Sequence, residues 1–285
     1  MRDLRCFFVL ALLFTLWTGL TGCSRPLTTP SVAVSPAAAA PRRIVALAPS
    51  VTELLYALGV GNRLAGTTAY SDYPPEAARL PRVGDSTLDF ERLMALSPDL
   101  VVAESITPAE QMRRLRELHL PLLCVDSSTL AGYRDTVRQV AAAVGAEPAG
   151  ARVLRDLDAA LAACRQHART PRPRVFVEIA SRPLMTAAHG TFVDEIVTAA
   201  GGMNVFGELD GKYPAVDPEA LLARQPQLVV LTDVKPDEFL SMAGLSVLHA
   251  PGVAVQRIDA DLLVRPGPRL PLGLQQLADW LRQVR

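Results

Sequence analysis

The strongest constraint on the fold is an internal repeat. Residues 89–110, DFERLMALSPDLVVAESITPAE, align without a gap to residues 217–238, DPEALLARQPQLVVLTDVKPDE. Asp89, Glu91, Leu93, Ala95, Pro98, Leu100, Val101, Val102, Pro108 and Glu110 each meet an identical residue 128 positions later. A shorter match pairs ELLYALGVGN, residues 53–62, with EIVTAAGGMN, residues 195–204, at the Glu, Ala, Gly and Asn positions. Two copies are too few for a solenoid, whose stacked units need about three or more to bury a continuous core. They describe a two-lobed molecule with approximate two-fold symmetry.

Within each half, short apolar runs alternate with helical stretches. RRIVALAP, LAGTT, DLVVAE and PLLCVD read as strands, separated by helices over Val51 to Leu58, Asp89 to Leu96, Pro108 to Leu118 and Leu130 to Val144. The pattern resumes with strands at RVFVEIA, QLVVLTD and VAVQRID, and helices over Phe192 to Ala200, Asp237 to Leu245 and Leu272 to Arg285. Apolar runs of this length between helices are the mark of a parallel sheet covered on both faces. Between the halves, Pro148 to Arg169 carries Val153, Leu154, Leu157, Leu161 and Ala162 at spacings of three and four, which places them on one helical face. Twenty helical residues span about 30 Å, the width of a small domain, so one helix suffices to join two lobes.

The N-terminus is of another kind. Arg2 and Arg5 precede an apolar run from Cys6 to Trp17 that is shorter than the roughly 20 residues needed to cross a bilayer and has the layout of an export signal. It closes on Leu20-Thr21-Gly22-Cys23, which resembles the lipobox of bacterial lipoproteins; the alternative is a plain signal with an incidental cysteine. Lipidation of Cys23 would supply the several acyl chains that durable attachment requires. Ser24 to Pro41 is rich in Pro, Ala, Ser and Thr, lacks the apolar content to fold, and is expected to be an extended tether.

Composition excludes other classes. Basic and acidic residues number 29 each, which argues against a nucleic-acid partner. Of four cysteines, Cys6 leaves with the signal and Cys23 is assigned to lipid, so Cys124 and Cys164 are expected to be buried free thiols rather than a disulfide. His119, His167, His189 and His249 show no metal-ligand spacing, and no metal site is expected. No G-x-S-x-G elbow, H-E-x-x-H, P-loop or nucleotide-binding G-x-G-x-x-G in its proper context is present. A secreted hydrolase using Ser50, His189 and Asp194 therefore stands as a remote alternative, and the chain is not expected to be an enzyme.

In both repeats an Asp precedes a helix and a Glu follows two residues later. Asp89 and Asp217 are expected as N-caps, with Glu91 and Glu219 in the first turn, where the helix dipole alone favours acids. The second reading is that two matched carboxylates on two lobes engage a partner carrying two matched cations.

RRIVALAPSVTELLYALGVGNRLAGTTAYSDYPPEAARLPRVGD, followed by ERLMALSPDLVVA, resembles the substrate-binding proteins of ABC importers for cobalamin, haem and iron siderophores, from about Arg43 to the C-terminus. AYSDYPPEA is most like the cobalamin-binding branch. The resemblance implies an α/β protein of two Rossmann-like lobes joined by a single long α-helix. The expected division is a signal peptide at 1–22, lipidated cysteine and tether at 23–41, a first lobe at 42–146, the linking helix at 147–170 and a second lobe at 171–285. It also implies an extracytoplasmic, membrane-anchored receptor on the periplasmic side, without a cofactor, that delivers a small molecule to a permease dimer. In that family a Glu on each lobe contacts the permease, and the matching positions are Glu91 and Glu219. Ligands of such folds sit at the carboxyl ends of strands. Ser50, Tyr70, His189, Tyr213, Arg265 and Arg269 are the candidate ligand contacts; Tyr70 matches a cobalamin-contacting tyrosine, and Tyr213 a position where the family often has tryptophan. The cobalamin branch uses several tryptophans in its cleft, whereas Trp280 alone survives signal removal here. A corrinoid is the expected ligand, with haem or a ferric siderophore as alternatives.

Overall fold

The computed structural model describes residues 40–166, 168–249 and 251–284. The signal segment, Cys23, nearly all of the tether, His167 and Arg285 lie outside the described residues. The first half runs β1 (Ile44–Ala46), α1 (Pro49–Ala57), β2 (Leu64–Thr67), α2 (Phe90–Ala95), β3 (Leu100–Glu104), α3 (Ala109–Glu117), β4 (Leu122–Val125) and α4 (Leu130–Val144). Helix α5 (Glu147–Gln166) crosses to the second half. There follow β5 (Arg174–Ser181), β6 (Leu184–Thr186), α6 (Phe192–Ala199), β7 (Met203–Asn204), α7 (Pro218–Ala223), β8 (Leu228–Leu231), α8 (Pro236–Ser241), β9 (Ala254–Arg257), α9 (Ala260–Leu263) and α10 (Leu270–Gln283).

The duplication is structural. The first sheet has the order β2-β1-β3-β4, all parallel. In the second, β5 pairs in parallel with β7 on one side and β8 on the other, and β8 pairs in parallel with β9, repeating that order. Both copies leave their second helix through a non-glycine residue of left-handed conformation, Ser97 at φ 45° and Gln225 at φ 47°, two positions past the last helical residue. A left-handed residue there lets the chain satisfy the last carbonyls and turn, and the proline that follows each, Pro98 or Pro226, prevents the helix from continuing.

Alternation along the strands divides the interior into three layers. Ile44, Leu100 and Val102 of the first sheet, and Val175, Val177, Leu228 and Val230 of the second, face a single core shared by both halves. Val45, Val101 and Ala103 face a separate core under α3, while Phe176, Val229 and Leu231 face another under α7 and α8. Helix α5 places Leu157, Leu161 and Cys164 in the shared core and packs on α4 and α10. A Cβ on Gly150 would lie 2.7 Å from the Ala141 Cβ, so glycine is what lets α5 approach α4 so closely. Helix α10 buries Leu270, Leu274, Leu277 and Leu281 on one face. Each fully buried leucine contributes about 1.5–3 kcal/mol to this shared core.

Several details depart from the sequence expectations. Strands β6 and β7 were not foreseen, because neither contains the buried run of four or more residues that marks a strand; β6 is antiparallel to β5 and extends the same edge as β7. Helix α5 ends at Gln166 rather than Arg169, ahead of Pro171 and Pro173. Both cysteines are free, but Cys124 is exposed, because β4 is an edge strand. Trp280 packs against the shared core, as its position on the last helix suggested. Asp89 caps α2 through the Arg92 amide at 3.0 Å, whereas Asp217, at the equivalent place before α7, makes no side-chain cap bond. Among the described residues no helix is long and apolar enough to cross a membrane.

Candidate functional site

Parallel strands bring all their carboxyl ends to one rim of each sheet. In the first lobe this rim is built by the start of α1 and by the segments after β2, β3 and β4. Residues 68–73 are fixed from below: the Thr52 hydroxyl lies 2.7 Å from that of Thr67 and 3.1 Å from that of Ser71. The Arg82 guanidinium donates to the carbonyls of Thr68 and Ser71 at 2.6 and 2.9 Å. The Ala69 amide donates to the Gly84 carbonyl at 2.8 Å. Gly84 has φ +128°, and a Cβ there would lie 2.2 Å from the Thr87 carbonyl oxygen, so no other residue fits. On this braced turn Tyr70 is 58% exposed. An aromatic body held rigidly at a rim costs little entropy on binding a flat ligand.

Ser50, in the first turn of α1, is buried, and its hydroxyl donates to Glu104 at the end of β3 at 2.7 Å. Burial raises the Glu104 pKa above the usual carboxylate range, opposed by hydrogen bonds from Ser50 and Ser127. The second lobe repeats the arrangement with other residues: Ser181, ending β5, donates to Asp233, two residues beyond β8, at 2.9 Å.

His189 and Tyr213 lie on two second-lobe segments bonded to each other. The Ala188 amide donates to the Lys212 carbonyl at 3.0 Å, and the Thr186 amide to the Pro214 carbonyl at 3.1 Å. Tyr213 is 40% exposed, and partial burial raises its pKa. The His189 side chain is 80% exposed, with Nδ1 3.9 Å from Asp194, whose carboxylate also accepts from the Gly190 amide and Asn204. Ser50 belongs to the other lobe and is committed to Glu104, so Ser50, His189 and Asp194 do not assemble as a triad. Among the described residues no three His, Cys, Asp or Glu side chains cluster as a metal site.

Arg265 and Arg269 are placed in an ion cluster that spans the lobes. Glu53 of α1, whose side chain is 1% exposed, accepts from Arg265 at 2.7 Å and from Arg269 at 2.8 Å through Nε and 2.6 Å through Nη2. Asp261 neutralises the second guanidinium, lying 2.7 Å from Arg265 and 3.3 Å from Arg269. Glu53 was not singled out from sequence as a site residue; its burial and partners arise only from folding. The cluster also touches the rim: the Arg269 guanidinium lies 4.1 Å from the Tyr73 ring centroid, and Arg265 is 3.5 Å from Asp72. These contacts bring the second-lobe segment that carries Arg265 and Arg269 against the rim of the first lobe. The pKa of Asp126, just beyond β4, is lowered chiefly by the Ser128 amide, with Lys212 a minor contributor. Glu91 and Glu219 are exposed in the first turns of α2 and α7.

The family model for periplasmic binding proteins matches residues 44–253. The vitamin B12-binding protein of Pectobacterium carotovorum is 32% identical over 250 residues, covering 85% of this chain and 89% of that protein. That of Salmonella typhimurium is 35% identical over 254 residues, covering 86% and 92%. Among solved structures, the periplasmic vitamin B12 binding protein BtuF of Vibrio cholerae superposes with a TM-score of 0.73 at 28% identity, covering 85% of this chain and 97% of that one. The periplasmic heme-binding protein RhuT from Roseiflexus sp. RS-1 gives 0.72 at 28%, covering 85% and 98%. With its duplicated sheets and crossing helix, the chain belongs to the periplasmic binding protein family, whose members are non-enzymatic components of transport.

Proposed function

We propose that this protein captures a corrinoid between its lobes and hands it to a membrane ABC importer. The observation that carries the reading is an exposed tyrosine on a braced loop of each lobe, Tyr70 on one and Tyr213 on the other. Support comes from vitamin B12-binding relatives that align over 85% or more of the chain. In this reading Tyr70, His189 and Tyr213 contact the cargo, while Ser50, bonded to Glu104, and Arg265 and Arg269, paired with Glu53 and Asp261, hold the segments that frame it. Glu91 and Glu219, at equivalent positions of the two lobes, meet cationic side chains on two permease subunits. Cys23 carries the lipid that keeps the receptor at the membrane on the periplasmic side, and residues 24–41 form the leash. The corrinoid is cargo and not a resident cofactor.

Haem or a ferric siderophore is the second reading, favoured by the exposed His189 imidazole, an axial-ligand chemistry, and by the heme-binding structural relative. Titration of the protein with cyanocobalamin, cobinamide, haemin and a ferric siderophore, followed by visible absorbance and calorimetry, separates the two. Saturable binding of a corrinoid at one equivalent is expected. Silence from both corrinoids with saturable haemin binding would replace the first reading by the second.

A further inference from the structure

Glu53 and Glu195 occupy the same position of the internal repeat, and each reaches into the opposite lobe. Glu53, on the first helix of the first half, binds Arg265 and Arg269; Arg269 immediately precedes α10, the last helix of the second half, without making a side-chain cap bond to it. Glu195, on the first helix of the second half, accepts the backbone amide of Leu130, the first residue of α4, the last helix of the first half. The two contacts are thus the same contact made twice: a carboxylate of each lobe's opening helix set against the amino end of the other lobe's closing helix. The geometry differs only in the donor. At α4 it is a bare amide, where the helix dipole favours an anion; before α10 it is a pair of guanidinium groups.

We propose that Glu53 and Glu195 are positioning residues that set the width of the cleft, so that ligand meets a preformed gap. Helix α5 and the shared core already join the lobes. Two bridges related by the pseudo-two-fold add one fixed point between α1 and the start of α10 and another between α6 and the start of α4. The Glu53 bridge also carries lobe spacing to the rim, since the same arginines stack on Tyr73 and pair with Asp72, three and two residues from Tyr70. Charge pairing between long-separated elements is rigid where the groups are buried and multiply bonded, and the Glu53 side chain is 1% exposed with three guanidinium bonds.

The test is hydrogen exchange on the full chain without any ligand, so the outcome is independent of what the cleft binds. Glu195→Met removes the acceptor, while Glu195→Gln keeps an oxygen for the Leu130 amide. Glu53→Gln removes the charge. Glu53→Gln combined with Arg265→Gln removes one anion and one cation together, and replaces the single variant if that fails to fold. We expect amides in residues 68–74 and 128–133 to exchange about tenfold faster in Glu195→Met and in the Glu53 variants. Helices α2 and α7, which carry no residue of either bridge, should keep wild-type rates, and Glu195→Gln should behave as wild type. Wild-type exchange in both cleft segments in every variant would overturn the proposal. So would a rise equally large in α2 and α7, which would mean general loss of stability.

Discussion

The Ser50 hydroxyl donates to Glu104 at 2.7 Å, joining the start of α1 to the end of β3 at the rim of the first sheet, and Ser181 makes the same kind of bond to Asp233 in the second. The carboxylates are not at equivalent positions of the repeat, since Glu104 aligns with Thr232 and Asp233 with Ser105. What recurs is a serine donor holding a carboxylate where two adjacent strands end. Ser50→Ala would leave one oxygen of a largely buried carboxylate without its donor, at a cost of about 1–3 kcal/mol. Urea unfolding of the variant should show a lowered midpoint with unchanged slope, and a midpoint equal to wild type would remove the structural role assigned to this bond.

Glu178 gives a pH prediction with a definite sign. Its side chain is fully buried in the second lobe, with one oxygen accepting the Thr232 and Asp233 amides at 2.9 and 3.0 Å and the other without a partner among the described residues. Burial raises its pKa, against the lowering effect of those two amides. The folded state therefore binds the proton more tightly than the unfolded chain. Its stabilising contribution is complete below the ordinary glutamate pKa of about 4.3 and is lost as pH climbs through the raised folded value. Glu178→Gln should flatten the stability profile over that interval, relative to wild type. Glu104 and Asp261 are raised in the same direction, so the difference between the two profiles is the quantity to measure, and superimposable profiles would contradict the prediction.

Tyr70 and Tyr213 test the cleft. Both are substantially exposed, so truncation to alanine should leave the thermal midpoint close to wild type, within the roughly ±0.5 kcal/mol usual for surface changes. If the rings lie against a flat cargo, each loss should weaken binding by about 1–3 kcal/mol, roughly 5- to 150-fold in Kd. Isothermal titration with cyanocobalamin reads this directly. Unaltered affinity in both variants would place the cargo elsewhere.

Docking is separable from capture. Glu91 and Glu219 sit exposed at equivalent places on α2 and α7. Replacing both with alanine should leave ligand affinity within twofold or so and abolish import in cells that depend on this receptor, because rim charges set orientation and encounter more than affinity. Normal import by the double variant would show that these carboxylates serve only their helix dipoles.

Anchoring rests on Cys23. Intact-mass measurement of the mature protein from membranes should show a chain starting at Cys23 with added acyl mass, and Cys23→Ala should be released in soluble form. A mature chain of unmodified mass would leave the protein as a freely diffusing receptor.

Most of the fold could be read locally. Strands of both lobes appear in the sequence as short apolar runs because each is covered on two faces, and their order repeats because the halves are copies: Leu100, Val101 and Val102 return as Leu228, Val229 and Val230. Strand β6 escaped notice because three residues of an antiparallel edge carry no period to detect. Tyr70, Tyr213 and His189 could be named as exposed loop residues from turn chemistry and resemblance, but the loops that brace them could not.

The cross-lobe contacts belong to tertiary structure alone. Glu53 looks in sequence like any glutamate of an opening helix, and Arg265 and Arg269 look like ligand-seeking cations in a proline-rich loop. Their pairing joins positions more than 200 residues apart. Strand periodicity, helix ends and the duplication are fixed by interactions within a few residues or within one lobe, so the amino-acid order by itself determined two α/β halves and the helix between them. How those halves face each other depends on the shared core beneath α4, α5, α6 and α10, and only once that core packs do the carboxylates find their partners.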